Sequence, residues 1–273
     1  MNRQAQIEKL KELRSKLNIK VKGLENYPQG PSLIVANHNC LLDIFSLPAA
    51  LPEPTVSIVS SRVMYKNDKE RKKLLNNYIL PFPLERHAGR IYVEMCLNGV
   101  VELLKKGISA NIFPEGGYYP KKKEVYRGKT GFTRVLFEAR KSGVKVNLVP
   151  VSIKVYNDNL DIDSYQFNFD LVEVEILKPI DYEKYFELYC QSKDLTSKKE
   201  IMQRLIDNTL KPVANNLKYT YISHYMDLIK KDFIYFPDGK EISVKEANNI
   251  YYINKFKKEI NRQVKILTKK LCI

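Results

Sequence analysis

The sequence predicts an α/β domain whose mostly parallel, twisted sheet carries helices on both faces. Short apolar runs recur from residue 32 onward, and each has the length of one buried strand. Longer segments with helical periodicity separate these runs, and this alternation is typical of a parallel sheet. The runs are SLIVA at 32–36, TVSIVS at 55–60, ANIF at 110–113 and VNLVPVSIKVY at 146–156.

Three regions follow from the composition along the chain. Residues 1–22 form an amphipathic, basic N-terminal helix, whose leucines can pack on the protein's own core or lie on a membrane. Residues 23–180 hold the main α/β domain. Residues 181–273 form a mostly helical, basic C-terminal extension, in which Pro237, Asp238 and Gly239 are expected to turn a hairpin.

Two helices and one further strand are expected inside the main domain. Helical periodicity covers RIYVEMCLNGVVELLKKG and TGFTRVLFEARKSG, and the glycines at 107 and 143 end these segments. The run VEVEI at 172–176 alternates apolar and acidic residues, as a strand with one exposed face does. We therefore expect that strand at or near an edge of the sheet.

The net charge limits the kinds of partner that are expected, and the spacing of the cysteines limits the kinds of structural site. The net charge of +15 favours an anionic partner such as lipid, nucleic acid, phosphorylated substrate or acidic carrier protein, although compositional drift alone would also produce it. The four cysteines are scattered, so neither a zinc site nor a disulfide framework is predicted. No secretory signal and no apolar stretch of membrane-spanning length is recognised, so we expect a cytoplasmic location.

One candidate site lies directly after the first buried strand. Asn37 and His38 follow SLIVA, and open α/β sheets bind ligands at the carboxyl ends of their strands. If His38 is on the loop and Asp43 is in the first turn of the next helix, the carboxylate can hold the imidazole ring, and His38 becomes a general base. The alternative is a histidine that caps the helix or bonds a backbone carbonyl, with Asp43 as a favourable N-terminal charge.

A second loop follows the strand ANIF. Pro114 stops the strand, and after Glu115 the two glycines Gly116 and Gly117 permit a tight turn whose amides could approach a phosphate. Lysines at 121–123, Arg127 and Lys129 follow. A plain turn with a solvated basic run explains the same residues.

Together these residues resemble the glycerol-phosphate and lysophospholipid acyltransferases. The similarity rests on N-H-x-x-x-x-D at 37–43, Arg86 at the end of PFPLER, F-P-E-G at 113–116 and LVPV at 148–151, in the order of the family. RGKTGF at 127–132, which contains Lys129, is also similar to a segment of that family.

The resemblance implies transfer of a fatty acyl group to the free hydroxyl of a lysophospholipid, with 1-acylglycerol 3-phosphate as the first choice. The donor would be acyl-CoA, acyl-acyl carrier protein or acyl phosphate, used as a co-substrate, with no permanently bound cofactor. His38 would be the general base held by Asp43, and no acyl-enzyme would form. Arg86, Glu115, Gly116 and Lys129 would bind the acceptor.

Two features depart from the pattern of this family. Gly117, Tyr118 and Tyr119 stand where a threonine or serine and an arginine are common, which leaves the acceptor headgroup open. Many members of the family carry apolar membrane-anchoring helices at the N-terminus, whereas this sequence has one short amphipathic helix there. Attachment to the inner face of the cell membrane would then rely on that helix and on basic side chains facing anionic lipid.

The same residues also allow other functions. Cys40 could be a nucleophile activated by His38, and a base that activates an alcohol could also activate water, which would make the protein an acyl-ester hydrolase. A nonenzymatic nucleic-acid binder would fit the charge, but no such module is recognised. We expect no metal site, His87 near the pocket and His224 on a helix surface.

Overall fold

A computed structural model describes residues 3–65, 75, 77–117, 123–156, 171–225 and 232–271. Tyr118, Tyr119, Lys121, Lys122 and Cys272 lie outside the described residues. The described helices are α1 (Arg3–Lys16), α2 (Asp43–Ala50), α3 (Ser61–Tyr65), α4 (Arg90–Lys105), α5 (Gly131–Lys141), α6 (Glu183–Gln191), α7 (Leu195–Leu217), α8 (Val244–Ala247) and α9 (Ile250–Leu271).

The described strands form one large sheet and two small ones. The strands are β1 (Ile19–Lys22), β2 (Ser32–Ala36), β3 (Val56–Ser60), β4 (Leu80–Leu84), β5 (Ala110–Ile112), β6 (Glu124–Arg127), β7 (Asn147–Val155), β8 (Val172–Ile176), β9 (Thr220–Tyr225), β10 (Phe233–Tyr235) and β11 (Glu241–Ser243).

The large sheet confirms the predicted mostly parallel architecture. Its seven strands run in the order β1-β8-β7-β2-β5-β3-β4, and β7 with β8 is the antiparallel pair. All four apolar runs contain a strand, and β8 lies next to the edge strand β1, as the alternation of VEVEI predicted. The carboxyl ends of β2, β3, β4 and β5 therefore meet along one edge of the sheet.

Alternate residues of the central strand β2 face two separate cores. Leu33 and Val35 belong to a core that includes residues of α4, α5, α7 and α9, whereas Ile34 and Ala36 face α1 and α2. Because both faces are covered, the strand is apolar at nearly every position rather than alternating. The prediction of helices on both faces is thus confirmed.

The N-terminal helix is shorter than the predicted range of 1–22. It ends at Lys16, and Ile19–Lys22 pair in parallel with β8 as an edge strand. Leu10, Leu13 and Leu17 are buried in the core beside α2, so these leucines are not exposed for contact with lipid. Of the two alternatives for this helix, packing on the protein's own core is the one that the structure shows.

The C-terminal extension is mostly helical but also contains strands. The hairpin at Pro237–Gly239 is confirmed as the antiparallel pair β10 and β11, and Phe256, Ile260 and Leu267 of α9 are buried. His224, expected on a helix, lies instead on β9, which pairs with β6 from the main domain.

The exact boundaries at 22/23 and 180/181 stay a prediction. Within the described residues, no helix is long and apolar enough to cross a membrane.

Candidate active site

Asn37 holds the chain to the sheet at the point where β2 ends and the loop of the site begins. Its buried side chain accepts the backbone N–H of Ile153 over 2.8 Å and donates to the carbonyl of the same residue over 2.9 Å. The last backbone partners of β2 and β7 are Ala36 and Val151, so the amide side chain continues this pairing after the backbone has turned away. The next residue, His38, is thereby fixed at the strand's carboxyl end.

His38 and Asp43 meet as the sequence predicted, with the histidine on the loop and the aspartate as the first residue of α2. The Nδ1 atom of His38 lies 3.1 Å from Oδ2 of Asp43. The same oxygen accepts the backbone N–H groups of Asn39, over 2.6 Å, and Cys40, over 2.9 Å. Asp43 is fully buried, so its carboxylate both shapes the loop and favours the imidazole tautomer with the proton on Nδ1.

The imidazole ring is also fixed from its face. It stacks on Phe113, with ring centroids 4.5 Å apart and an angle of 25° between the planes. The side chain is 12% exposed and lines a cleft. A hydrogen bond at one edge and an aromatic ring on one face leave little freedom to rotate.

Cys40 has the properties of a structural thiol. Its Sγ donates to Oδ1 of Asp43 over 3.5 Å, and the residue is buried. Burial, and then the negative charge of Asp43, raise the pKa of this thiol well above its usual range. A thiolate nucleophile at this position is therefore disfavoured.

Glu115 connects the two loops of the site. Its Oε1 accepts the backbone N–H of His38 over 2.8 Å, and its Oε2 accepts the backbone N–H of Tyr126 over 2.9 Å. Burial raises the pKa of Glu115 to about 8, against the opposing effect of these two hydrogen bonds. The residue is 1% exposed, so its direct contact with a substrate stays a prediction, while its hydrogen bonds to one loop amide and one strand amide are observed.

Arg86 follows β4 and points to the same region. Its Nη1 donates to the carbonyl of Gly116, which has a φ of 79° and closes the F-P-E-G turn with a hydrogen bond to Phe113. Burial lowers the pKa of Arg86, and the charge of the neighbouring Glu85 opposes that shift. Within the described residues, the buried Nε has no hydrogen-bond partner and the guanidinium has no ion pair. Such a cation is suited to an anionic ligand.

The first cleft, of about 230 Å³, is mostly apolar. His38 and Arg86 are on its wall together with Leu41, Ile58 and Val63. A cleft with this lining can hold hydrocarbon against the imidazole ring.

The second cleft, of about 420 Å³, is more polar and shares Arg86, Phe113 and Gly116 with the first. His87, Lys129 and Arg134 also line it, as do Thr130 and Gly131 at the N-terminus of α5. Cationic side chains beside the N-terminus of a helix form a favourable environment for a phosphate group.

All six residues expected at the site lie in or beside these clefts: His38, Asp43, Arg86, Glu115, Gly116 and Lys129. Asp43 and Glu115 are behind the cleft walls. Lys129 is tied to the F-P-E-G loop through its backbone N–H, which donates to the carbonyl of Pro114 over 2.8 Å. His87 lies at the second cleft, as expected.

Sequence reasoning missed Arg134 and the amide of Tyr126. Arg134 is part of RGKTGFTR. A basic residue in the first turn of a helix that begins at the site is the sequence signal that indicates it. The role of Tyr126 is carried by its backbone, which no side-chain pattern reveals. In the described residues, no group of three His, Cys, Asp or Glu side chains is arranged to hold a metal ion.

One comparison with known proteins, against family models, identifies a family. A family model described as Acyltransferase matches residues 18–154, about half of the chain. The chain matches no curated protein sequence. Among solved structures, the chain is similar to the 1-acyl-sn-glycerophosphate acyltransferase PlsC from Thermotoga maritima, with 22% identity, a TM-score of 0.49, and coverage of 77% of this chain and 79% of that one.

Proposed function

Since the chain belongs to the acyltransferase family and is an O-acyltransferase, we propose that it moves a fatty acyl group onto the free hydroxyl of a lysophospholipid. The acceptor that fits best is 1-acylglycerol 3-phosphate. The donor is acyl-CoA, acyl-acyl carrier protein or acyl phosphate, each a co-substrate, and no permanently bound cofactor takes part.

The observation that carries this proposal is the pairing of His38 with Asp43 beside an apolar cleft that adjoins a cationic one. With Nδ1 directed at the carboxylate, Nε2 is the nitrogen that takes the proton from the acceptor hydroxyl. The buried charge of Asp43 stabilises the imidazolium ion that forms. His38 is thus the general base, and Asp43 is its positioning residue.

The reaction is direct. As His38 takes the proton, the acceptor oxygen bonds to the acyl carbon and gives a tetrahedral intermediate. That intermediate collapses by breaking the bond to sulfur or, for acyl phosphate, to the phosphate oxygen. The proton on His38 then passes to the leaving group. No acyl-enzyme forms, which agrees with the buried, hydrogen-bonded thiol of Cys40.

The two clefts divide the ligands between them. The apolar cleft takes hydrocarbon next to His38, and the second cleft takes the phosphate of the acceptor on Arg86, Lys129 and the N-terminus of α5. Arg86 supports this division because its buried Nε has no hydrogen-bond partner among the described residues and is therefore available to an anion. Gly116 contributes by accepting from Arg86 and so directing it.

A lipid acceptor requires contact with a membrane, and the basic surface supports attachment to an anionic leaflet such as the inner face of the cell membrane. Because the leucines of α1 are buried, lysine and arginine side chains would supply most of this attraction. Co-sedimentation with anionic vesicles should then fall steeply between low and high salt. Binding that is independent of salt, or absent, contradicts this part of the proposal.

The decisive experiment is acyl transfer by the purified protein from labelled palmitoyl-CoA to a panel of lysophospholipids and glycerol 3-phosphate. We expect the wild type to acylate 1-acylglycerol 3-phosphate. His38→Ala and Asp43→Asn should lose roughly 10²-fold or more of the rate while remaining folded. Asp181→Asn, a change of the same chemistry at an exposed aspartate, is the matched control.

Product analysis distinguishes the outcomes. Free fatty acid released without any acceptor would indicate a hydrolase. Inactivity with palmitoyl-CoA leads to the same assay with acyl-acyl carrier protein and acyl phosphate. Inactivity with all three donors, or full activity of both site variants, would refute the proposed function.

A further inference from the structure

The strand β6 lies between the candidate site and the C-terminal extension. On one side, the backbone N–H of its residue Tyr126 holds Glu115, which in turn holds the backbone of His38. On the other side, β6 pairs in parallel with β9, with Val125 opposite Tyr221. The matched family segment ends at residue 154, so β9 comes from a part of the chain beyond it.

A bidentate ion pair reinforces this connection. Nε of Arg127, the last residue of β6, donates to Oδ1 of Asp207 over 2.8 Å, and Nη2 donates to Oδ2 over 2.7 Å. Tyr221 of β9 also donates to Oδ1 over 2.7 Å. The two charged side chains are only 21% and 20% exposed, and their geometry is the strong fork arrangement of arginine with a carboxylate. We call Arg127, Asp207 and Tyr221 the clamp.

Gly128, directly after β6, lies between the F-P-E-G loop and the helix that carries Asp207. At Gly128 a β-carbon would lie 2.5 Å from Cβ of Pro114 and 3.2 Å from Leu210 of α7. Only glycine fits such a gap, so the chain after β6 is held tightly between the loop and α7. The backbone bond from Lys129 to Pro114 closes the same contact.

We propose that the C-terminal extension completes the active site, with Asp207 and Tyr221 as positioning residues that hold β6 through Arg127 and thereby keep Glu115 and the loop of His38 in place. This inference rests on the proposed function, in which His38 is the base. The buried Glu115 carboxylate is shared between two amides. If β6 shifts, Glu115 loses its hydrogen bond to the amide of Tyr126. Its carboxylate is then no longer held in the position from which it binds the amide of His38.

The consequence is a defect in rate rather than in acceptor binding. Of the phosphate-binding groups of the second cleft, Arg86 follows β4 and Arg134 is on α5. Lys129 lies two residues after β6 and is held to the F-P-E-G loop by its own backbone bond to Pro114. A displacement of about 1 Å at a catalytic group can cost roughly 10²-fold in rate, even when the mutation is distant. Loss of the clamp should therefore lower kcat and leave KM for the acceptor within about threefold.

The first test uses Asp207→Ala, the single variants Arg127→Asp and Asp207→Arg, and the double variant that combines the last two. We expect each single variant to lower kcat by about tenfold or more, and the charge-swapped double variant to recover a large part of it. Glu183→Gln is the control, because Glu183 forms an ion pair between α5 and α6 in which Nε of Arg140 lies 3.1 and 3.0 Å from the two carboxylate oxygens. Unchanged kcat in the single variants, or a loss as large in Glu183→Gln, overturns the proposal.

The second test does not depend on activity. Native hydrogen exchange should be faster in Asp207→Ala than in the wild type for peptides covering residues 35–40 and 124–127, and unchanged for a peptide covering β8. Unchanged exchange at 35–40 overturns the proposal even if the enzyme is active. An inactive wild type with the expected exchange pattern would instead count against the proposed function alone.

Discussion

The backbone N–H of His38 donates to the carboxylate of Glu115 over 2.8 Å, which joins two sequence motifs that are 77 positions apart. The glutamate therefore has a role that its charge did not suggest. A carboxylate facing a phosphate would repel it, whereas here both oxygens are turned away from the clefts and accept backbone amides. Glu115 is the link that fixes the loop of His38 relative to the F-P-E-G turn.

Glu115→Gln should destabilise the fold and change its pH dependence. The glutamine side chain has one acceptor oxygen and would place an NH₂ group against the second backbone N–H, which costs about 1–3 kcal/mol. The wild type has a folded-state pKa of about 8 at this residue, above the ordinary value of 4.5. Between these values the folded chain binds more protons than the unfolded chain, so stability falls as pH rises.

Urea unfolding of both proteins at pH 5, 6, 7 and 8 measures this effect. The free energy of unfolding of the wild type should decrease relative to that of Glu115→Gln, by at most about 1.4 kcal/mol for each pH unit. Glutamine does not titrate, so the difference between the two curves isolates this carboxyl group. Parallel curves would show that folding does not change the pKa of Glu115.

Arg86→Gln should weaken binding of phosphorylated acceptors. A hydrogen bond to a charged group contributes about 1.5–3 kcal/mol, so we expect KM for 1-acylglycerol 3-phosphate to rise by roughly 10- to 150-fold. Activity towards a neutral monoacylglycerol should change much less. Arg90→Gln is the matched control, since Arg90 is highly exposed and lines neither cleft. An equal loss with both acceptors would mean that Arg86 shapes the loop at Gly116 rather than binding phosphate.

Cys40→Ser should retain activity to within about threefold, because the thiol is a hydrogen-bonded structural group. Its pKa is raised by burial and by Asp43, so it should also resist alkylation at neutral pH. Peptide mapping after brief treatment with iodoacetamide checks this, with the exposed Cys190 as the internal control. Abolished activity in Cys40→Ser would overturn direct attack by the acceptor.

Leu13→Ala should lower the free energy of unfolding by about 2–5 kcal/mol, since Leu13 of α1 is fully buried. Leu24→Ala, at a leucine that is 42% exposed, should change it by no more than about 0.5 kcal/mol. Vesicle binding should be the same in both variants. A normal stability of Leu13→Ala combined with weaker vesicle binding would instead place the helix on the membrane.

Local patterns predicted the elements around the site because the signals lie within each segment. SLIVA is apolar at nearly every position, which is what a strand covered on both faces requires. The five-residue spacing of His38 and Asp43 is a short loop followed by a helical turn, so neighbours in the chain are also neighbours in space. The glycines that end α4 and α5 have positive φ and act locally as well.

Pairing between strands that are distant in the sequence leaves no comparable pattern within either segment. The segment TYISHY has no partner nearby in the sequence, and it follows the long helix α7, so the local sequence does not distinguish a strand at His224 from the predicted helix. In the structure it pairs with β6, from which it is separated by about a hundred residues. The strand at Ile19–Lys22 was likewise missed, since its partner β8 lies about 150 residues further along the chain.

The sequence by itself determined the α/β architecture, the loop positions of the candidate site residues and, through four ordered motifs that resemble a known family, the class of reaction. The tertiary structure alone decided that the leucines of α1 are buried, that Glu115 binds backbone amides, and that Asp207 and Tyr221 of the C-terminal extension meet Arg127 of β6. The physical reason is that periodicity and turn chemistry are local properties, whereas a backbone amide or a distant ion pair acquires its role only when the chain brings the two partners together.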